Sequence, residues 1–497
     1  MLRILPLALL LPALCAQTKP ADTVRSWRGN NEHRIISEFL DLLSIPNVAA
    51  DTPNIRRNAE RIVEILRKRR VETRLLATAG APPVVYGEIR TPGATRTLVF
   101  YAHYDGQPAN SQDWIGGEPF RPVLRSDGKD MALPAAGQRF DPEWRIFGRS
   151  ASDDKAPIIA LAAALDALNA SQIPLTSNIK FFFEGEEEAG SPHLLDIVKT
   201  NKSLLAGDVW LICDGPVHQT RRPQVYFGAR GISGVELTVY GPKRELHSGH
   251  YGGWAPNPAM MLARLLASMK DESGHVLIKG FYDGIAPLSA AERRALAEAP
   301  ANDAELQNEL GLARTEGDGR KLKDLINQPS LNIRGLASSA VGAEARNVIP
   351  STASASLDIR LVKGLDHRWA VDLLVEHIHS QGYYVVDADP DDTVRLKHSR
   401  IAKVVRKGGY NPVRTSMDLP IARAVVAAIE EVRGPAVKMP TLGGSVPLYA
   451  FEEVLNAAMV GVPIVNHDNN QHAANENIRL QNLWDGIEVM AALLTMK

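Results

Sequence analysis

The sequence predicts an α/β protein, a helix-covered and mostly parallel sheet into which an α+β domain is inserted. Three observations carry this reading. Apolar strand-like runs alternate with helix-like runs up to about residue 222, the pattern of strands and helices stacking into a parallel sheet. From about 223 to 415 the strand-like runs alternate apolar and polar residues instead, as sheets wet on one face do. Beyond 416 the first pattern returns, and a chain of 497 residues is in any case too long for a single core, since domains usually run to roughly 100–200 residues.

Taken in order, the first residues, MLRILPLALLLPALCAQ, set Arg3 before an apolar run from Ile4 to Leu14 that ends at Cys15 and Ala16. This reads as a signal peptide over residues 1–16. The run is shorter than the ~20 apolar residues that span a bilayer, and Pro6 and Pro12 would break a membrane helix. The expectation is an exported protein, periplasmic or secreted, with no membrane contact once the signal is removed. Lipid attachment at Cys15 ranks second, because Leu14 is bulky for such a site. The mature chain would keep Cys213 alone, which excludes an internal disulfide.

Helical spacing at Ile35, Ile36, Phe39, Leu40 and Leu43, and again at Ile55, Ala59, Ile62, Val63 and Leu66, predicts two amphipathic helices. Strands are then expected at 84–89, 97–101, 179–183 and 209–213, with helices at 156–170 and 194–200. In the middle region Val235, Leu237 and Val239 alternate, as do Ala353, Ala355, Leu357, Ile359 and Leu361. Helices are expected there at 259–269 and 369–379, with a polar helical excursion at 289–327. The first pattern resumes at 419–433 and 460–465. The division is therefore 24–222, an insert at 223–415, and 416–497 completing the first domain.

Composition narrows the partners. With 45% hydrophobic and 23% charged residues the chain is an ordinary folded protein. Lys+Arg 56 against Asp+Glu 57 gives a net charge of −1, which provides no field to draw in a phosphate backbone, so nucleic acid is not expected.

The chemistry gathers at strand ends, where open α/β sheets place their ligands. TLVFYA runs into His103, Tyr104 and Asp105, which puts an imidazole and a carboxylate on one side of an extended chain. GRSASDDKAP sets Asp153 and Asp154 in a turn before a helix. IKFFF leads into Glu184, Glu186, Glu187 and Glu188, and DVWLIC into Asp214. His472 lies in NHDNNQHAANENIRL, before the last helix. Singly, each has a plainer reading: a local hydrogen bond, a helix cap, a solvated charge run. Together they form a nitrogen and oxygen donor set, without thiolate, that suits zinc or a similar divalent ion and exceeds the four ligands of one tetrahedral zinc. Two ions sharing a carboxylate would use the surplus.

These stretches resemble the two-zinc aminoacylase and dipeptidase family that includes carnosinase, carboxypeptidase G and acetylornithine deacetylase. The matching segments are HYD at 103–105, GRSASDDKAP at 148–157, EGEEEAGS at 184–191, CDGP at 213–216, HSGHYGG at 247–253, NVIP with DIR at 347–360, GGSVP at 443–447 and HAANE at 472–476. HYDGQP, DDKAP and GGSVP are most similar to the carnosinase-like dipeptidase branch. Ser150 and Ala156 stand where the family commonly has Gly.

The resemblance implies that His103 and Asp214 hold one metal, Glu188 and His472 the other, and that Asp153 bridges them. Asp105 would orient His103, and Glu187 would be the general base acting on a metal-bound water. His247, from the inserted domain, would stabilise the oxyanion, within its own chain or across a dimer. Arg360, with Asn347, Gly444 and Ser445, would grip the substrate's free carboxylate. The insert would be a ferredoxin-like lid and dimerisation domain in a homodimer. The cofactors would be two divalent ions, zinc first and manganese or cobalt next. The function implied is a metal-dependent amide hydrolase, a metallo-dipeptidase or carboxypeptidase acting on dipeptides or small peptides. An N-acyl-amino-acid deacylase is the alternative enzyme. A non-catalytic peptide- or metal-binding protein is the alternative class, and the retained Glu187 speaks against it.

His193, His250 and His467 lack matching partners and are read as ordinary histidines. Cys213, one residue before Asp214 and so on the opposite strand face, is read as a core residue.

Overall fold

The computed structural model describes residues 20–116 and 118–497. The expected signal at 1–16, with Cys15, lies outside them. The helix Pro20–Leu43 buries Ile35, Ile36, Phe39 and Leu43. The helix Thr52–Arg67 follows, capped by Asp51, whose carboxylate accepts the Asn54 N–H, and buries Ile55, Ala59, Ile62, Val63 and Leu66. Both expected helices are present.

An eight-stranded sheet forms the larger body. Its order is Glu72–Leu76, Val84–Ile89, Asn178–Glu184, Thr97–His103, Val209–Ile212, Met459–Gly461, Gln224–Tyr226 and Val437–Met439. The central four strands are parallel to one another. The register pairs His103 with Glu184 and Tyr101 with Ile212, so three parallel strands end at one edge.

Both faces of this sheet are covered, which is why its strands read as near-continuous apolar runs. Phe181 and Phe183 pack in one core, with the helices Pro20–Leu43, Lys155–Ala170 and Leu480–Leu494. Phe182, Tyr101 and Trp210 pack in another, where Phe451 stacks 4.0 Å from Trp210. The helix Lys155–Ala170 is buried almost all round, as its sequence KAPIIALAAALDALNA requires. Cys213 is buried and free.

The insert has a five-stranded sheet in the order Ser330–Ala337, Thr352–Leu361, Gly231–Tyr240, Ile401–Tyr410 and Tyr384–Val386, antiparallel except for the last pair. The helices Pro258–Ala267 and His367–Ser380 cover its apolar face and form a separate core with it. The edge strand Ser330–Ala337 leaves Ile333 47% and Leu336 62% exposed.

Two features go beyond the sequence reading. The helical excursion forms as Ala290–Glu298, Asp303–Glu309 and Leu322–Leu325, but it reaches back to the larger body. Leu296 and Ala299 join the core of Val437 and Met439, and Arg414 pairs with the buried Glu292. A small sheet in the order Asn477–Arg479, Arg145–Phe147, Val123–Ser126 and Lys129–Met131 was not anticipated. It pairs Asn477 with Phe147, which lays the segment after His472 beside the segment leading to Asp153.

Candidate metal centre

The common edge of the three parallel strands builds the site. The strand Thr97–His103 delivers His103 and, just beyond it, Asp105. The strand Asn178–Glu184 leads to a short 3-10 turn, Glu187–Ala189, and the strand Val209–Ile212 leads to Asp214. Asp153 and Asp154 occupy the turn before the helix Lys155–Ala170.

Two ligand-competent groups result. His103, Asp154 and Asp214 present donor atoms within 4.8 Å of one another and are buried; Asp153, Glu188 and His472 do the same at the solvent side. Asp153 joins the groups. Its Oδ1 lies 2.8 Å from His103 Nε2 and its Oδ2 lies 3.0 Å from His472 Nε2, while Glu188 Oε2 is 3.3 Å from the same His472 nitrogen. On the other side of His103, Nδ1 lies 3.2 Å from the Asp105 carbonyl and 3.4 Å from its carboxylate. That carboxylate also accepts the backbone N–H groups of Glu187 (3.1 Å) and Glu188 (3.0 Å), so Asp105 secures the glutamate turn as well as the histidine.

The electrostatics have one theme. Burial, reinforced by neighbouring carboxylates, raises Asp154 and Glu187 well above the usual range, Glu188 to about 7 and Asp214 to about 6. Burial also works against charge on His103 and Asp153. The hydrogen bonds that His103 donates to Asp105 and Asp153 nevertheless hold it well above its usual value, and those donated by both histidines hold Asp153 low. Asp154 Oδ1 is buried without a partner. Six carboxylates, those of Asp105, Asp153, Asp154, Glu187, Glu188 and Asp214, crowd around two imidazoles. Bound divalent cations would relieve that repulsion, and the oxygen and nitrogen donors present fit them.

The remaining expected residues fall into two places. Arg360 and Ser445 come together, with Nη1 donating to the Ser445 hydroxyl at 2.7 Å, while Arg360 Nε donates to Asp358 at 2.9 Å. Gly444 belongs to the same turn and accepts the Arg230 N–H through its carbonyl. This contact, the Lys363–Glu452 ion pair at 2.7 Å and the Tyr410–Tyr449 stack at 5.4 Å fasten the insert's sheet to the larger body. His247 and Asn347 sit elsewhere on the insert. His247 lies in the two-stranded pairing of Leu246–His247 with Val348–Ile349 and Asn347 just before it; both are exposed, and among the described residues no contact joins His247 to the metal-competent groups. His193 pairs with Glu186 at 2.9 Å, which removes both from the site.

Sequence reasoning named Asp154 beside Asp153 and quoted Glu476 within HAANE without giving either a role, and it passed over Gln107 and Gln471. Gln107 donates to Glu188 Oε2 at 2.8 Å and Gln471 to Asp153 Oδ2 at 2.7 Å. Their only signal in the sequence is adjacency to HYD and to His472.

Parallel strands ending in paired clusters of histidine and carboxylate suit a metal-dependent hydrolase. The chain belongs to peptidase family M20/M25/M40, whose model matches residues 99–496. It is 28% identical to Cys-Gly metallodipeptidase DUG1 of Candida albicans, over 83% of this chain and 81% of that one. It is 29% identical to human Beta-Ala-His dipeptidase, over 83% and 76%. Its structure is similar to that of the M20 family metallo-carboxypeptidase Sso-CP2 from Sulfolobus solfataricus, with a TM-score of 0.77, 27% identity and coverage of 93% and 98%.

The expected family, fold class and enzyme class, a hydrolase of the metallo-dipeptidase type, are borne out. One expectation is corrected. Export to the periplasm or medium is overturned, because the matching Cys-Gly metallodipeptidases are intracellular enzymes. No described helix is long and apolar enough to cross a membrane.

Proposed function

We propose that this chain hydrolyses dipeptides or small peptides that carry a free C-terminal carboxylate, with two divalent ions, zinc first, as cofactors. The observation that carries the reading is Asp153, whose two oxygens face His103 and His472 at 2.8 and 3.0 Å and so link both clusters. His103 and Asp214 would hold one ion, Glu188 and His472 the other, and Asp153 both. The neighbouring Asp154 is a further candidate on the buried side. When bound, the pair supplies Lewis-acid polarisation of the scissile carbonyl and lowers the pKa of water at the centre.

The protein's own residues do the rest. Glu187, partly exposed and held by its backbone to Asp105, is placed to take the proton of the attacking water and return it to the departing amine. The raised proton affinity of Glu187, caused chiefly by burial, suits a group that must hold that proton between the two steps. Arg360, already fixed by Asp358 and Ser445, offers a guanidinium to the substrate carboxylate, with Gly444 and Asn347 completing the pocket on closure. His247, exposed on the insert, would reach the oxyanion only by lid closure or from a partner copy. In this reading residues 223–415 act as lid and dimerisation domain between 24–222 and 416–497. A homodimer is supported by the exposed apolar edge strand Ser330–Ala337, since an unpaired edge carrying Ile333 and Leu336 is a template for a second strand.

Purified protein loaded with zinc, manganese or cobalt and assayed against dipeptides, amidated dipeptides and N-acetyl amino acids tests the proposal. Turnover of free dipeptides, abolished by chelation and restored by metal, is expected. Preference for N-acetyl amino acids would move the assignment to a deacylase, and metal uptake without turnover to a binding protein.

A further inference from the structure

We propose that Glu476 is the positioning residue of the centre, the group that sets Asp153 between His103 and His472; this rests on the two-metal reading above. Glu476 follows His472 by four residues and is fully buried. Its Oε1 accepts the Ser152 N–H (2.9 Å), the Ser152 hydroxyl (3.0 Å) and the N–H of Asp153 itself (2.9 Å). Its Oε2 accepts the Ser150 N–H (2.9 Å) and Arg149 Nη1 (2.9 Å). One carboxylate thus accepts five hydrogen bonds, from Arg149, Ser150, Ser152 and Asp153, in the buried turn that carries Asp153.

The surrounding fold brings the two loops together. Pairing of Asn477 with Phe147 sets Glu476 opposite Gly148, whose N–H donates to the Glu476 carbonyl at 3.0 Å. The segments 149–153 and 471–476 are therefore held to each other by side chains from both, and only Glu476 among them takes the backbone N–H groups of the turn. Each reaches Asp153 separately, through the Asp153 N–H on Glu476 and through Gln471 and His472 on the Asp153 carboxylate. Glu476 belongs to neither metal-competent group, so its action on the ions is indirect.

Only a carboxylate can do this. In a glutamine at 476 one oxygen becomes an NH2 group. Turned one way it faces the Ser152 and Asp153 N–H groups, and turned the other way it faces Ser150 N–H and Arg149. Donor meets donor in both cases, and the Asp153 turn must shift. Partners that orient metal ligands from behind typically govern 10- to 100-fold in metal affinity, and Glu476 orients the ligand both ions would share.

The test is Glu476→Gln and Glu476→Asp in the full-length protein, with zinc binding read by competition against a chromophoric chelator, and with kcat, KM and circular dichroism. Glu476→Gln is expected to bind zinc about 10- to 100-fold more weakly and to lose kcat in step. KM for a dipeptide should stay within about twofold, because Arg360 and Ser445 are untouched. Glu476→Asp keeps the charge but is one methylene short of spanning both sides, so an intermediate loss of about fivefold or more is expected. It also serves as the readout should the glutamine variant fail to fold. Two zinc ions held at wild-type affinity in whichever variant folds would overturn the proposal, as would a loss confined to KM. A wild-type chain that binds no divalent ion would instead sink the two-metal reading, and this inference with it.

Discussion

Replacing Glu184 by glutamine should stabilise the protein, and only above a definite pH. Glu184 ends the strand Asn178–Glu184 at the rim of the site and is 1% exposed. Tyr101 donates to its Oε2 at 2.8 Å, and its Oε1 has no partner. Burial, with the carboxylates of Asp105 and Glu186 adding, raises it from 4.5 to about 7. Because the folded state keeps this proton to a higher pH than the unfolded chain does, the native state loses stability as pH rises through the interval from 4.5 to about 7. The cost is absent below that interval and fully present above it. At ~1.36 kcal/mol per pH unit, the interval corresponds to on the order of 3 kcal/mol. Glu184→Gln retains an acceptor for Tyr101 and has no charge to desolvate. Urea denaturation of both proteins at fixed zinc and at several pH values between 5 and 8 should show near-equal stabilities at the acid end and a widening advantage for the variant that levels off near pH 8. A gap that does not change with pH, or a variant less stable at pH 8, would refute the reasoning.

Glu187→Gln should keep its metal content, read by elemental analysis, and lose kcat by about two to four powers of ten, the usual worth of a general base. Arg360→Ala should lower kcat/KM sharply for free dipeptides and little for their amides, and equal penalties on both would return Arg360 to a purely structural pairing with Asp358 and Ser445. His247→Ala should slow both substrates by one to two powers of ten or more, as loss of one oxyanion donor does. Leu336→Arg on the exposed edge strand should convert a dimer to monomer in light scattering, since a buried unpaired charge would face the second copy.

The ligand-type residues other than His472 were legible because each stands at the carboxyl end of an apolar strand or in a turn entering a helix, whereas His472, in a loop before the short strand Asn477–Arg479, was picked out by the resemblance. What pattern could not decide was which way each carboxylate in the run from Glu184 to Glu188 faces. The fold sends Glu184 inward to Tyr101, Glu186 to His193, Glu188 into the outer ligand group, and Glu187 close enough to His103, Asp214 and Asp153 to feel their charge. Gln107 and Gln471 stayed hidden, and Glu476, though inside the HAANE stretch, was given no role, for a different reason. Their partners lie 81, 318 and 323 residues away, and a lone amide or acid in a loop carries no periodicity. The small sheet that brings Glu476 to Asp153 is built from strands of only three or four residues, too short to show alternation. The excursion was legible as helices, but its docking on Val437 and Met439 depends on which apolar side chains find one another in space.

The clasp between Arg149 and Glu476 spans 327 residues, and that distance is also an interval of time. At about 5–20 residues per second, a ribosome needs some tens of seconds to pass from one to the other. Once Asp214 has been added, and for the rest of that interval, the growing chain carries Asp105, Asp153, Asp154, Glu187, Glu188 and Asp214, but neither His472 nor the acid that squares the Asp153 turn. Completion of the outer group, Asp153 with Glu188 and His472, is thereby deferred to the end of synthesis, long after the buried group of His103, Asp154 and Asp214 has all its members.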